Sequence, residues 1–145
     1  MVINSNPSLW LTNVGGVQPP VPGKSRRIRG GPLLNLAVLQ AAIVSGQLDE
    51  DGVWAATRRC RNSLEDYGWS FGLILEMINC LLPQDYKNSE WCDVDGSRCV
   101  PSDVYRIRFD ETRKQRNPKA CEVYLKFSID DDGALTLVLV QSHLS

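Results

Sequence analysis

Histidine is scarce in this sequence: His143 stands alone among 145 residues, which removes every site that needs two imidazoles, including most catalytic zinc centres. Cysteine is present but nowhere spaced as CxxC. Cys60, Cys80, Cys92, Cys99 and Cys121 are odd in number and scattered, so neither a disulfide framework nor a zinc knuckle is signalled, and free thiols are expected. Long apolar runs are missing too. The nearest, Leu33 to Val44, contains Asn35 and Gln40 and falls short of the roughly 18 residues that a membrane helix requires. The chain does not start with a basic segment, an apolar stretch and a small-residue cleavage site, so a cytoplasmic location is expected. The GGP and RGG stretches lack the strand and the Lys-Ser/Thr of a phosphate loop. DVDG, Asp93 to Gly96, lacks the later acidic ligands of a calcium loop and reads as a turn. No metal and no cofactor are expected.

What is present suits a soluble globular chain, 43% hydrophobic and 23% charged, of a length that supports one domain with a core of its own. Residues 1–32 hold five of the eight prolines, with QPPVPG at their centre, and read as a flexible Pro/Gly-rich arm ahead of a domain over 33–145. The arm's KSRRIRGG run is either solvated or in contact with a phosphate backbone. Helical periodicity then predicts a buried helix after Pro32 through LLNLAVLQAAIVSG. A second is predicted from near Asp51 through VWAATRRCRNSL with Trp54 inward, and a third from the N-cap candidate Ser70 to Pro83.

After the helices the apolar period changes from 3.6 to 2. Asp103 to Asp110, Cys121 to Ile129 and Ala134 to Ser142 read as strands, the last two joined by the turn DDDG, and the order of elements indicates an α+β fold with N-terminal helices followed by an antiparallel sheet. In the first strand Tyr105, Ile107 and Phe109 share one face, and Arg106 and Arg108 the other. If the first two strands pair, Arg106 and Arg108 join Tyr124 and Lys126 on one open surface. The charge distribution agrees: Val104 to Lys126 carries seven basic against three acidic residues, a local +4 in a chain of net charge −1. Metal-free RNA cleavage needs a base for the 2′-hydroxyl proton, an acid for the leaving 5′-oxygen and cations for the phosphorane. Arginine and lysine suit the phosphate, tyrosine a proton or a base stack, and His143 either proton transfer. The same alternation also fits a solvated strand face without function.

The segments LLPQDYK, DVYRIR, EVYLKFSI and LVLVQSH, in this order after NSLEDYGWS, resemble the motility quorum-sensing regulator (MqsR) family of bacterial type II toxins, over about Leu33 to Ser145. The resemblance implies a RelE-like fold and a ribosome-independent mRNA interferase, an endoribonuclease that cleaves mRNA and arrests growth, with a preference for GC-containing sites. It also implies a cognate antitoxin partner with a zinc-binding N-terminal and a helix-turn-helix C-terminal domain. By the same resemblance the catalytic lysine falls on Lys87, in DYK with one aromatic position missing, the catalytic tyrosine on Tyr124, and the basic residue closing the last strand on His143. Arg106, Arg108 and Lys126 are the expected phosphate contacts. The family's glutamine before DVYR is replaced by Ser102, and the segment NSEWCDVDGSRCVP is longer than expected. The alternative is a non-catalytic RNA-binding or protein-interaction regulator on the same fold.

Overall fold

The computed structural model describes residues 9–11 and 26–143; QPPVPG, Lys24 and most of the expected arm lie outside them. In chain order the described residues form β1 (Arg27–Ile28), α1 (Leu36–Val44), β2 (Val53–Ala55), α2 (Arg58–Tyr67), α3 (Phe71–Asn79), β3 (Tyr86–Val94), β4 (Arg98–Asp110), β5 (Gln115–Arg116), β6 (Glu122–Ile129) and β7 (Leu135–His143). The class is α+β. The helices, however, are mid-chain rather than N-terminal, and the sheet is mixed: β2 runs parallel to β7 while the other pairs are antiparallel. Its order is β1-β3-β4-β6-β7-β2, with β5 pairing β4. Among the described residues, no helix is long and apolar enough to cross a membrane.

Each helix begins at a side-chain cap. Asn35, Thr57 and Ser70 accept hydrogen bonds from the backbone N–H groups of Val38, Cys60 and Leu73, satisfying donors that a helix start leaves bare. Two of the expected starts therefore move. The first helix opens at Leu36, because the N–H groups of Leu33 and Leu34 are held in extended backbone by the buried Asp103 carboxylate at 2.9–3.0 Å. The second opens at Arg58, since Val53–Ala55 is a strand in register with Leu135–Leu137 and Trp54 turns outward, with the Arg98 guanidinium 5.2 Å above its ring. The third helix follows Ser70 as the sequence predicts, and Gln40 of α1 donates to the Ile78 and Leu81 carbonyls at its end, both at 2.9 Å.

Besides Val53–Ala55 and the short β5, two further strands depart from expectation. Arg27–Ile28, in the expected arm, adds an edge strand to β3. A Cβ at Gly31 would overlap Tyr86 Oη and Ser89 Oγ, so the glycine permits that close passage of chain over sheet. Tyr86–Val94, within the long segment NSEWCDVDGSRCVP and its upstream neighbours, is a full strand joined to β4 by a turn at Asp95–Ser97.

The three helices cover one face of the sheet. Ile74, Met77 and Ile78 of α3 and Leu39 of α1 meet Tyr105, Ile107, Val123, Leu125, Phe127 and Leu137, each at most 2% exposed. Tyr105 and Phe127 stack across β4 and β6 with centroids 5.7 Å apart, a geometry worth about 0.5–1.5 kcal/mol beyond the area it buries. The opposite face curls. Asp95 N donates to Ala56 O at 2.8 Å and Arg61 pairs with Asp95 at 2.7 Å, so the β3–β4 turn reaches across the sheet to the end of β2. Under that arch Cys92, Val94 and Val100 close on Ala56 and Val138.

Candidate nucleic-acid interface

Strand register assembles the surface. Antiparallel pairing sets Arg106 opposite Tyr124, Val104 opposite Lys126 and Arg108 opposite Glu122; on the next strand Gln141 lies opposite Tyr124 and His143 opposite Glu122. Because alternate residues share a face, Arg106, Arg108, Tyr124 and Lys126 all project away from the helices. Arg106 and Arg108 are exposed, whereas Tyr105, Ile107 and Phe109 between and beside them are buried.

Lys87 joins them from β3. An irregularity in the β3–β4 register between Tyr86 and Asn88 lets Tyr86 face the core while Asn88 lies opposite Val104, with Lys87 as the extra residue at the irregularity. Its ammonium sits 3.4 Å from Tyr124 Oη, as donor to the phenol, and 4.7 Å from the ring centroid. Asn88, Glu90, Val104, Lys126, Leu139 and Gln141 complete a depression of about 210 Å³ around the pair. Lys126 is ion-paired across β4 with Glu90 at 2.5 Å. The Asn88 Oδ1 atom is shielded from solvent and makes no hydrogen bond among the described residues.

A second depression, about 440 Å³, adjoins the first on the Arg106 side, lined by Gln84, Asp85, Arg106, Arg108, Arg116 and Asn117 among others. Its cations differ in commitment. Arg116 forks onto the buried Asp85 at 2.5 and 3.2 Å, and Arg108 donates to the Ala120 carbonyl at 2.9 Å, whereas Arg106 forms no ion pair among the described residues. Arg106 is thus the guanidinium best placed to receive an external anion, at the border of the two depressions.

No family model, curated protein or solved structure matches the chain. Of the sequence-predicted residues, the structure brings Lys87, Tyr124 and Lys126 into one depression and sets Arg106 and Arg108 in its neighbour. His143 ends β7 two residues beyond Gln141, and its side chain lies outside the described part of the molecule. Ser102, at the position expected to hold glutamine, is fully buried; among the described residues its hydroxyl meets only the Cys92 thiol, a weak partner. It does not reach the surface.

Glu90, Asn88 and Gln141 escaped the sequence reading. Gln141 could not be reached by counting: outward from the DDDG turn Val140 would stand opposite Tyr124, and the irregularity in the β6–β7 register between Lys126 and Phe127 brings Gln141 there instead. Glu90 and Asn88 left no signal while their strand went unrecognised. Asp103, first residue of the DVYR motif, belongs to the other face: fully buried, it accepts from Ser89 Oγ at 2.6 Å as well as from Leu33 and Leu34. Burial pushes its carboxyl above the ordinary carboxylate range against those donors. Its work is to anchor the segment before α1. Among the described residues, no three His, Cys, Asp or Glu side chains converge as metal ligands.

Proposed function

We propose that this protein is a metal-independent endoribonuclease of the mRNA-interferase type, the toxin of a toxin–antitoxin pair, built on a RelE-like variant of the α+β sheet. The observation that carries the reading is the Lys87 ammonium set on the Tyr124 phenol, with Lys126 in the same depression and Arg106 at its edge. A phosphodiester entering there meets cations on two sides and a phenolic proton, in a space sized for a sugar and a phosphate.

In this mechanism the 2′-oxygen attacks phosphorus, and Lys87 and Arg106 stabilise the added charge of the phosphorane. Tyr124, which the Lys87 ammonium touches, donates its proton to the departing 5′-oxygen. His143 remains an acid or base by resemblance, at the end of the strand that carries Gln141. Arg108 and Lys126 steer neighbouring phosphates. An antitoxin with a zinc-binding and a helix-turn-helix domain is the expected partner.

Purified protein is incubated with single-stranded RNA in EDTA. Cleavage that is lost on combining Tyr124→Phe with His143→Ala supports the reading; intact RNA, or cleavage indifferent to both changes, rejects it. The buried Ser102 favours one competing reading, an RNA-binding regulator without nuclease activity. That regulator would bind RNA with a salt slope of about −0.7 per phosphate contacted and leave it whole.

A further inference from the structure

A cleavage site of this type needs an acceptor for the 2′-hydroxyl proton, and the Lys87–Tyr124 pair supplies none. Both groups enter as donors. Among the described residues, Glu90 is the one carboxylate lining the depression that holds them. We propose that Glu90 is the general base of the cleavage reaction, an assignment that rests on the nuclease reading above.

Size decides whether Glu90 can touch the substrate. A depression of about 210 Å³ has room for roughly seven waters at about 30 Å³ each, which a ribose with its phosphate fills. A phosphate held by Lys87 and Tyr124 therefore brings its own ribose against the remaining wall, where Glu90 lies.

The carboxylate is also held still. Glu90 projects from β3 between the buried Ser102 of β4 and the exposed Arg27 of the edge strand β1, with the buried Cys92 next along the same face of the strand, so it is packed on the β4 side and flanked by a cation on the other. Lys126 reaches over from β6 and grips Oε1 at 2.5 Å, while Oε2 makes no hydrogen bond among the described residues. One oxygen is thus fixed and the other is open to a proton. Three further ion pairs among the described residues stand elsewhere: Arg26–Asp93 and Arg61–Asp95 serve the β3–β4 hairpin, and Arg116–Asp85 the adjoining depression.

The step balances. The 2′-O–H proton passes to Glu90 Oε2 as the 2′-oxygen bonds to phosphorus. The P–O5′ bond breaks, and the 5′-oxygen takes the Tyr124 proton. The products are a 2′,3′-cyclic phosphate and a 5′-hydroxyl, and solvent exchange returns a proton from Glu90 to Tyr124. No electrons change hands and no co-reactant is consumed.

The test is the pH profile of single-stranded RNA cleavage in EDTA for the wild type, Glu90→Gln, Glu90→Asp and Lys126→Met, each checked for folding by thermal melting. The expected result is a fall of about 10² to 10⁴-fold in kcat for Glu90→Gln, with loss of the acid limb of the profile. Lys126→Met is expected to raise KM and keep that limb. Glu90→Asp, which retains the carboxylate on a shorter stem and guards against a folding failure of the amide, is expected to lower kcat and keep the limb.

Two results overturn the assignment while leaving the nuclease reading intact: a Glu90→Gln profile equal to that of the wild type, or equal losses in Glu90→Gln and Lys126→Met with both acid limbs present. The second outcome would mark the pair as purely structural. Wild-type protein that leaves RNA whole overturns the assignment and the nuclease reading together.

Discussion

One face of one sheet contains two unlike halves. Toward the β3–β4 turn, Cys92, Val94, Val100 and Ser102 share it with Val138 under the arch closed by Asp95 and Ala56, and this half is mostly dry and apolar. Toward the other end, Lys87, Tyr124, Lys126 and Arg106 share the same face, open to solvent and polar. Alternation along β4 assigns Ser102, Val104, Arg106 and Arg108 to one side without distinguishing them. The curl of the sheet makes the distinction: the hairpin folds back over its own end, and the residues it leaves uncovered carry the charge. Outward position is a property of the strand, whereas exposure is a property of the whole sheet.

That contrast can be broken or sharpened by substitution. The largest effect is expected in the open half. Tyr124→Phe is predicted to lower RNA cleavage by about 10² to 10⁴-fold, the range of a lost proton donor, while the melting temperature stays close to that of the wild type. A parallel collapse in stability would show that the phenol is structural.

Next comes a change in the dry half. Ser102→Gln, which restores the residue type expected by resemblance, is predicted to destabilise the fold by about 1–3 kcal/mol through overpacking, read as a drop of several degrees in thermal melting. Enhanced cleavage with unchanged stability would instead place position 102 in the open half. Smaller still, Arg106→Ala is predicted to flatten the salt dependence of RNA binding by about 0.7 in log–log slope, one phosphate contact. Finally, Ser102→Ala removes a buried hydroxyl that, among the described residues, meets only the Cys92 thiol. It is predicted to stabilise the protein by at most about 1 kcal/mol and to leave cleavage as it was.

The α+β class, the third helix with its Ser70 cap, the last three long strands and the outward set of Arg106, Arg108, Tyr124 and Lys126 were legible, because each rests on local periodicity or on a turn such as DDDG. What escaped depends on partners distant in sequence. Val53–Ala55 is too short to show a period of 2, precedes a real helix, and is a strand only because β7 lies beside it. Tyr86–Val94 interleaves Lys87, Asn88, Ser89, Glu90 and Asp93 with its apolar residues, since one of its faces is wet at one end and dry at the other. Arg27–Ile28, beside RGG, looks like arm until β3 supplies its pairing. In the site, Lys87 was found through the resemblance and not through its pattern, and Glu90 required the unrecognised strand. The burial of Ser102 follows from the arch, which no local window of sequence contains.

On the nuclease reading, the open half of this face holds RNA and the dry half does not. The most direct measurement is a map of backbone amide NMR shifts on titration with a single-stranded RNA blocked by 2′-O-methyl groups. The expected result is perturbations concentrated at Lys87, Glu90, Arg106, Tyr124 and Gln141, with Ala56, Val94, Val100 and Val138 unmoved. Perturbations centred on the Trp54–Trp69 side of the molecule, or none at an RNA concentration that saturates the wild-type cleavage reaction, would contradict it.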